Sequence, residues 1–355
     1  MHPTARRTFH SLLLLALGLG ILAATVHFYG IERVSAQLAA ADHRLLGWAA
    51  LVFFSQFFTM GLRWWLTMRL LGHNVRAIPL FRANAASNFV NFFAPGHFGE
   101  PIVSAWLDRS GRAPGVHAFS ALIGSKVLAT ILSFALLVAC IPLLASRTDA
   151  SWLMQVGGVA AALGFGTLVA LLVLLRPAVA AGAASLMGSL VRGTIGRLRP
   201  AFGNNLAGTL ESLVLQVRDS LALFGKHPWA LLGSAAISAA KVALQVLFVI
   251  LLFAAFGQDL TVAGSTFLVT VDVLQNAVSI WIPANLGVQE ALLVAAAAGG
   301  LAIDGSVAAS AALAHKAILL THVILGGLIF VILGAVDHGR VDAPGEASRN
   351  KTSLT

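Results

Sequence analysis

Charge is scarce in this chain. Asp, Glu, Lys and Arg make up 10% of its 355 residues, against 58% hydrophobic residues. A soluble globular domain carries about 25% charged residues. Apolar surface in this proportion cannot all be buried in one water-facing globule, so lipid is the natural solvent. Cysteine is nearly absent as well. The single Cys140 lies inside an apolar run, which excludes an internal disulfide and a cysteine-based metal site. Also missing are G-x-S-x-G, H-E-x-x-H, a Walker motif and the dinucleotide-binding glycine fingerprint. Without a P-loop, an ATP-driven pump within this chain is not expected, and no cofactor or metal is implied. No polar block is long enough for a second, soluble domain. The longest non-membrane stretch spans 177–228.

Lys and Arg outnumber Asp and Glu by 23 to 14, for a net charge of +9. In a soluble chain that balance suggests nucleic acid. In a membrane chain it follows from the positive-inside rule, and no nucleic-acid partner is expected. Apolar runs of spanning length occur at 9–29, 45–62, 117–144, 152–175, 229–256 and 307–335; a helix needs roughly 20 apolar residues to cross. The first follows Arg6 and Arg7 and continues past Leu22 toward Tyr29, which favours an uncleaved signal-anchor helix over a cleaved leader.

Two further apolar segments, 78–107 and 262–302, are interrupted by polar residues, Pro and Gly. The first holds Asn84, Asn88, Asn91, Pro95, Gly96, Gly99 and Glu100. The second holds Asp272, Asn276, Pro283, Asn285, Gly287 and Glu290. Each is either one broken crossing or a helical hairpin that enters and leaves by the same face. Charge placement separates the two. With a cytoplasmic N-terminus and two hairpins, 1–8, 63–82, 108–116, 176–228 and the C-terminal tail are cytoplasmic and hold 17 of the 23 Lys and Arg. Single crossings would put the six cations of 176–228 outside, against the positive-inside rule. The expectation is therefore an all-α polytopic membrane protein, with about six full transmembrane helices plus two broken or re-entrant helical hairpins. Both termini are expected on the cytoplasmic side of the cytoplasmic (inner) membrane.

The interruptions repeat each other. Asn84, Asn88, Pro95 and Gly99 become Asp272, Asn276, Pro283 and Gly287 at a constant offset of 188. After a two-residue insertion, Glu100 and Lys126 become Glu290 and Lys316 at an offset of 190. Under the hairpin topology the two copies have opposite orientation, an inverted repeat. Broken helices from inverted repeats, meeting near the midplane, are a recurrent transporter design. This divides a single transmembrane domain, 1–336, into repeat one (about 45–144) and repeat two (about 229–335). The cytoplasmic or interfacial segment 176–228 links them, and 337–355 reads as a disordered tail. Within the linker, Leu206, Leu210, Leu213, Val217, Leu221 and Phe224 recur at helical spacing. They suggest either an amphipathic helix on the membrane surface or an ordinary connector helix.

Pro95 and Pro283 cannot continue a helical hydrogen-bond ladder, and Gly96, Gly99 and Gly287 let the chain turn and a ligand approach backbone closely. A helix restarting after each break presents N–H groups and a positive dipole end, suited to a phosphate or carboxylate. Glu100, Lys126, Lys241, Asp272, Glu290 and Lys316 all fall at membrane depth, where each costs about 2.5–3.5 kcal/mol on insertion scales. Each therefore needs a partner or a wet cavity. They form either a polar path for a headgroup or coupling proton, or Glu–Lys pairs that hold the halves together. Lys241 has no counterpart and reads as snorkelling or structural. His97, His315 and His322 have no carboxylate at metal-ligand spacing and read as hydrogen-bonded membrane histidines.

These motifs resemble a known family. Arg63-Trp64, Asn88 and Ala94-Pro95-Gly96-His97-Phe98-Gly99-Glu100 look like the first signature of the lysylphosphatidylglycerol synthase transmembrane-region family. Ile282-Pro283-Ala284-Asn285-Leu286-Gly287-Val288-Gln289-Glu290 looks like its second signature. The Gly-Val-Gln-Glu ending is also similar to the hopanoid-associated branch of that group. The chain departs from the family in having Pro101-Ile102-Val103-Ser104 where an arginine often follows Gly-Glu, and Ser125-Lys126 in place of a Glu-Arg pair. The resemblance implies a flippase-like membrane domain that handles a lipid with a phosphate or other charged headgroup. A lipid-biosynthesis enzyme is a further possible partner. Aminoacyl transfer is not expected, because only a short tail follows residue 337. The expected substrate-binding and translocation residues are Asn84, Asn88, Pro95, Gly99, Glu100, Asp272, Asn276, Pro283, Gly287, Glu290, Lys126 and Lys316. The rival readings are a membrane-embedded enzyme on a lipid or polyprenyl phosphate, and a non-catalytic lipid-binding subunit of an envelope or hopanoid biosynthesis complex.

Overall fold

The computed structural model describes residues 3–70, 72–93, 99–110, 175–198, 200–226, 228–278 and 285–341, with scattered positions between 115 and 173. Pro95, His97, Lys126, Pro283, most of the apolar runs 117–144 and 152–175, and 342–355 lie outside the described residues. In chain order the helices are α1 (Pro3–Tyr29), α2 (Ile31–Ala40), α3 (His43–Leu70), α4 (Ala77–Phe93), α5 (Gly99–Arg109), α6 (Pro177–Leu198), α7 (Pro200–Lys226), α8 (Pro228–Ala254), α9 (Val262–Val278), α10 (Val288–Ala295) and α11 (Gly305–Val341). A π-helical turn, Ala296–Gly300, extends α10. Among the described residues there is no β-strand.

The chain is an all-α polytopic membrane protein. Among the described residues three helical stretches are long and apolar enough to cross a bilayer: His43–Arg69, Leu232–Ala254 and Gly305–Ile332. With no water in the hydrocarbon to satisfy backbone polar groups, helices that close their hydrogen bonds internally are the stable solution. α11 begins on a side-chain cap: Asp304 Oδ1 accepts from the N–H groups of Ser306 (2.9 Å) and Val307 (3.3 Å), and from the Ser306 hydroxyl. It continues to Val341, so the first residues of the expected tail 337–355 are helical.

α3 and α8 are the central pair, and they run antiparallel. Phe53 meets Phe248 with ring centroids 4.8 Å apart. Further along α3, Arg63 Nη1 donates to Ser238 Oγ (3.1 Å), a position earlier in α8. At the opposite end the Asp42 N–H donates to the Ala255 carbonyl (2.9 Å). α4 and α9 are each 17 residues long, each follows one of the central helices, and a shorter helix, α5 or α10, comes next among the described elements. α11 crosses from this second set to pack on α4, where Gly326 and Gly327 lie against Ala85 and Phe89. Small residues at such a contact let helices approach without a solvent-driven hydrophobic term. α6 and α7 fold back on each other, tied by Arg192 and Glu211 (2.7 Å). Leu206, Leu210 and Ala207 of α7 are half-buried or buried. The outward apolar side chains of this hairpin include Leu186 and Leu190 of α6.

Two cations of 63–82 are withdrawn from solvent. Arg63 and Arg82, counted from sequence among the cytoplasmic charges of 63–82, are buried inside the helix assembly at 3% exposure each. α3 continues to Leu70, beyond the expected end of the apolar run at 62, which carries Arg63 into the interface with α8. Arg82 on α4 sits 5.5 Å from the Trp106 ring and 5.3 Å from the Phe330 ring. Aromatic faces there supply part of the charge stabilisation that water gives at a surface.

Candidate functional site

Each break is organised by a different amide. In the first, Asn91 near the end of α4 reaches across to the start of α5. Its Oδ1 accepts the Gly99 N–H (2.7 Å), and its Nδ2 donates to Glu100 Oε1 (2.7 Å). The first turn of a helix has N–H groups without intrahelical acceptors, and Asn91 satisfies one of them. That N–H is therefore engaged within the protein. Gly99 is required by space: a Cβ there would strike the Ser87 carbonyl oxygen. Glu100 is 3% exposed and lies in the first turn of α5, where the helix dipole favours a carboxylate. Asn84 and Ser87 are buried on α4, and Asn88 is half-buried.

In the second break Gly287 caps α10 at φ 77°. Both its backbone and its surroundings demand glycine, since a Cβ would meet the Gly18 carbonyl of α1. Three residues on, Glu290 is 2% exposed, and Lys316 of α11 places its ammonium 3.0 Å from Glu290 Oε1. Lys316 Nζ also donates to Gln289 Oε1 (2.6 Å), and Gln289 Nε2 donates to Asp272 Oδ1 on α9 (2.8 Å). One connected cluster thus joins Asp272, Gln289, Lys316 and Glu290 across α9, α10 and α11. Asn276 lies one turn beyond Asp272 on α9.

Sequence reasoning singled out Asp272, Glu290 and Lys316, and the structure brings these three together. It missed the roles of two amides, Gln289 in this cluster and Asn91 in the first break. Gln289 belongs to the two-residue insertion, Val288-Gln289, that sets the second motif apart from the first. That insertion was the available signal. Asn91 was noted only as one more polar residue in the first break.

Beside the cluster lies a cavity of about 30 Å³, walled chiefly by Phe53, Phe248, Phe253 and Leu268, with Gln245, Asp272 and His315 as its polar lining. His315 is buried, edge-on to Phe53 and tilted against Phe248. His322, two turns further along α11, packs against Phe53, Phe54 and Phe57. Among the described residues its Nδ1 is buried without a hydrogen-bond partner. Lys241 is half-buried on α8. Among the described residues no group of three or more His, Cys, Asp or Glu side chains is placed to hold a metal ion.

These features define a class: a helical membrane protein with two interrupted helices and a buried charge cluster beside one interruption. The chain belongs to the family described as the lysylphosphatidylglycerol synthase TM region, whose family model matches residues 11–327. The match is to the family as a whole and does not distinguish its branches. The family associates the chain with lipid handling in a membrane. No curated protein and no solved structure matches it.

Proposed function

We propose that this chain binds a lipid with a charged headgroup and carries it across the cytoplasmic membrane. The observation that supports the reading best is the position of the Lys316–Glu290 pair and of Asp272, linked by Gln289 and set against a helix break. Charged groups inside a membrane protein are expensive, and they mark substrate and ion pathways. The interrupted segments are read as an inverted repeat, about 45–144 and 229–335 within one transmembrane domain. The antiparallel α3 and α8, and the equal lengths of α4 and α9, support that reading. On this scheme Asn84, Asn88, Pro95, Gly99, Glu100 and Lys126 of the first repeat face the substrate path together with Asp272, Asn276, Pro283, Gly287, Glu290 and Lys316 of the second. Both termini are placed in the cytoplasm, where a lipid-biosynthesis enzyme would deliver the substrate.

The test is reconstitution in liposomes containing fluorescent phosphatidylglycerol or its lysine ester, with accessibility to a membrane-impermeant quencher as the readout. The expected result is faster loss of protected probe than in protein-free liposomes, slowed by Glu290→Gln. Rates equal to empty liposomes for every headgroup tried would overturn the proposal.

A further inference from the structure

The two breaks share a pattern but not a charge. Where the first repeat has Asn84, the second has Asp272. Where the first runs directly from Gly99 to Glu100, the second inserts Val288-Gln289 before Glu290. Both differences meet at one point, because the inserted Gln289 bonds the additional carboxylate of Asp272 and passes the connection to Lys316. Asp272 also lines the cavity, and so does His315. A volume of about 30 Å³ exceeds what one water needs, roughly 10–15 Å³ on the same measure.

We propose that Asp272 and His315, facing one cavity between α3, α8, α9 and α11, form a proton-binding site that couples lipid movement to proton movement, with the Gln289–Lys316–Glu290 chain linking it to the headgroup path. This inference rests on the translocation reading above and supplies its energy source. The proton is taken up through cavity water from one face of the membrane, held by the Asp272–His315 site, and released to the other face as the site reopens. No bond other than O–H or N–H forms or breaks, and nothing is oxidised or reduced.

A proton fits this site better than a metal cation. A bare cation needs several oxygen ligands, and the cavity offers Asp272 and Gln245 within a largely apolar wall. At the cavity α3 contributes Phe53 and α8 contributes Gln245, neither of them titratable. α11 contributes His315 there, while Lys316 of α11 and Glu290 of α10 lie outside the lining and connect to Asp272 through Gln289. Asp272→Asn is an informative variant because the first repeat already buries an asparagine, Asn84, at the matching position.

The experiment uses the full chain in two formats. In proteoliposomes with an entrapped pH indicator, the lipid gradient is imposed and both lipid and proton movement are followed. Wild type is expected to move protons with lipid, and an imposed pH gradient is expected to drive lipid uphill. Both are lost in Asp272→Asn, proton movement returns in Asp272→Glu, and it slows in His315→Gln. In nanodiscs an infrared pH titration is expected to show a carboxyl band that is absent from Asp272→Asn. Lipid movement without proton movement, indifferent to the pH gradient, overturns the coupling and leaves the translocation reading intact. If no lipid moves at all, the translocation reading fails by itself. The infrared titration then decides the site: a band missing from Asp272→Asn supports it, and an unchanged spectrum overturns it.

Discussion

The Lys316 ammonium lies 3.0 Å from Glu290 Oε1, with Lys316 9% and Glu290 2% exposed. A pair this deeply buried need not stabilise the fold relative to apolar residues, but removal of one partner alone leaves a charge in a poor solvent. Lys316→Met should therefore destabilise the protein by roughly 3–5 kcal/mol. Glu290→Gln combined with Lys316→Met should recover most of that loss. Melting curves of the three proteins in one detergent check the ordering, and a double variant no better than Lys316→Met would contradict it.

Gly287 combines a positive φ with close approach to the Gly18 carbonyl. Gly287→Ala should cost about 1–3 kcal/mol from backbone strain alone, with displacement of α1 in addition. Gly20→Ala is the matched control on α1, since nothing lies near its Cβ position; a change within about 0.5 kcal/mol is expected there. The monodisperse fraction on size exclusion after mild heating distinguishes the two.

His73, in the turn after α3, lies 4.7 Å from the His117 ring. Burial lowers the His73 pKa below the ordinary histidine value, and the neighbouring His117 lowers it further. A base with a depressed folded pKa contributes stability above its unfolded value of about 6.5. That contribution declines as pH falls below the unfolded value toward the folded one, because the unfolded chain binds the proton more readily. Acidification through this window should thus lower the melting temperature of wild type more than that of His73→Gln. Parallel shifts in the two proteins would show that the histidine contact is not the sensor.

Asp304 caps α11, and its carboxyl is held below the usual range first by the Ser306 hydroxyl and then by the Ser306 backbone N–H. Opposing burial is outweighed, with smaller help from the Val307 N–H and the charge of Arg33. Its stabilisation is present above the unfolded aspartate value and is lost as pH falls through the lower folded one. Asp304→Ala should cost about 1 kcal/mol at neutral pH, and the difference from wild type should shrink in acid. A difference that stays constant with pH would separate the cap from the charge.

Much of this architecture is legible in the sequence. The apolar runs at 45–62, 229–256 and 307–335 became the spanning parts of α3, α8 and α11, because spanning length and hydrophobicity are local properties of a segment. The matching Pro, Gly and Glu residues of Pro95–Glu100 and Pro283–Glu290 are visible for the same reason: they declare themselves in sequence. The burial of Arg63 and Arg82 was not legible there. Their burial depends on Ser238, Trp106 and Phe330, residues supplied by helices far away in the chain, and a count of charges along the sequence cannot register such partners.

The sequence by itself determined that the chain lives in lipid, that it is helical, and that two of its helices are interrupted in matching ways. Solvent preference and helix breaking act residue by residue, so composition and spacing carry them. Only the tertiary structure decided which charges meet. Asp272 and Lys316 are 44 positions apart in the chain, yet a single glutamine side chain joins them. A hydrogen bond of that kind depends on where three helices converge, to within a fraction of an ångström, and no local pattern encodes that distance.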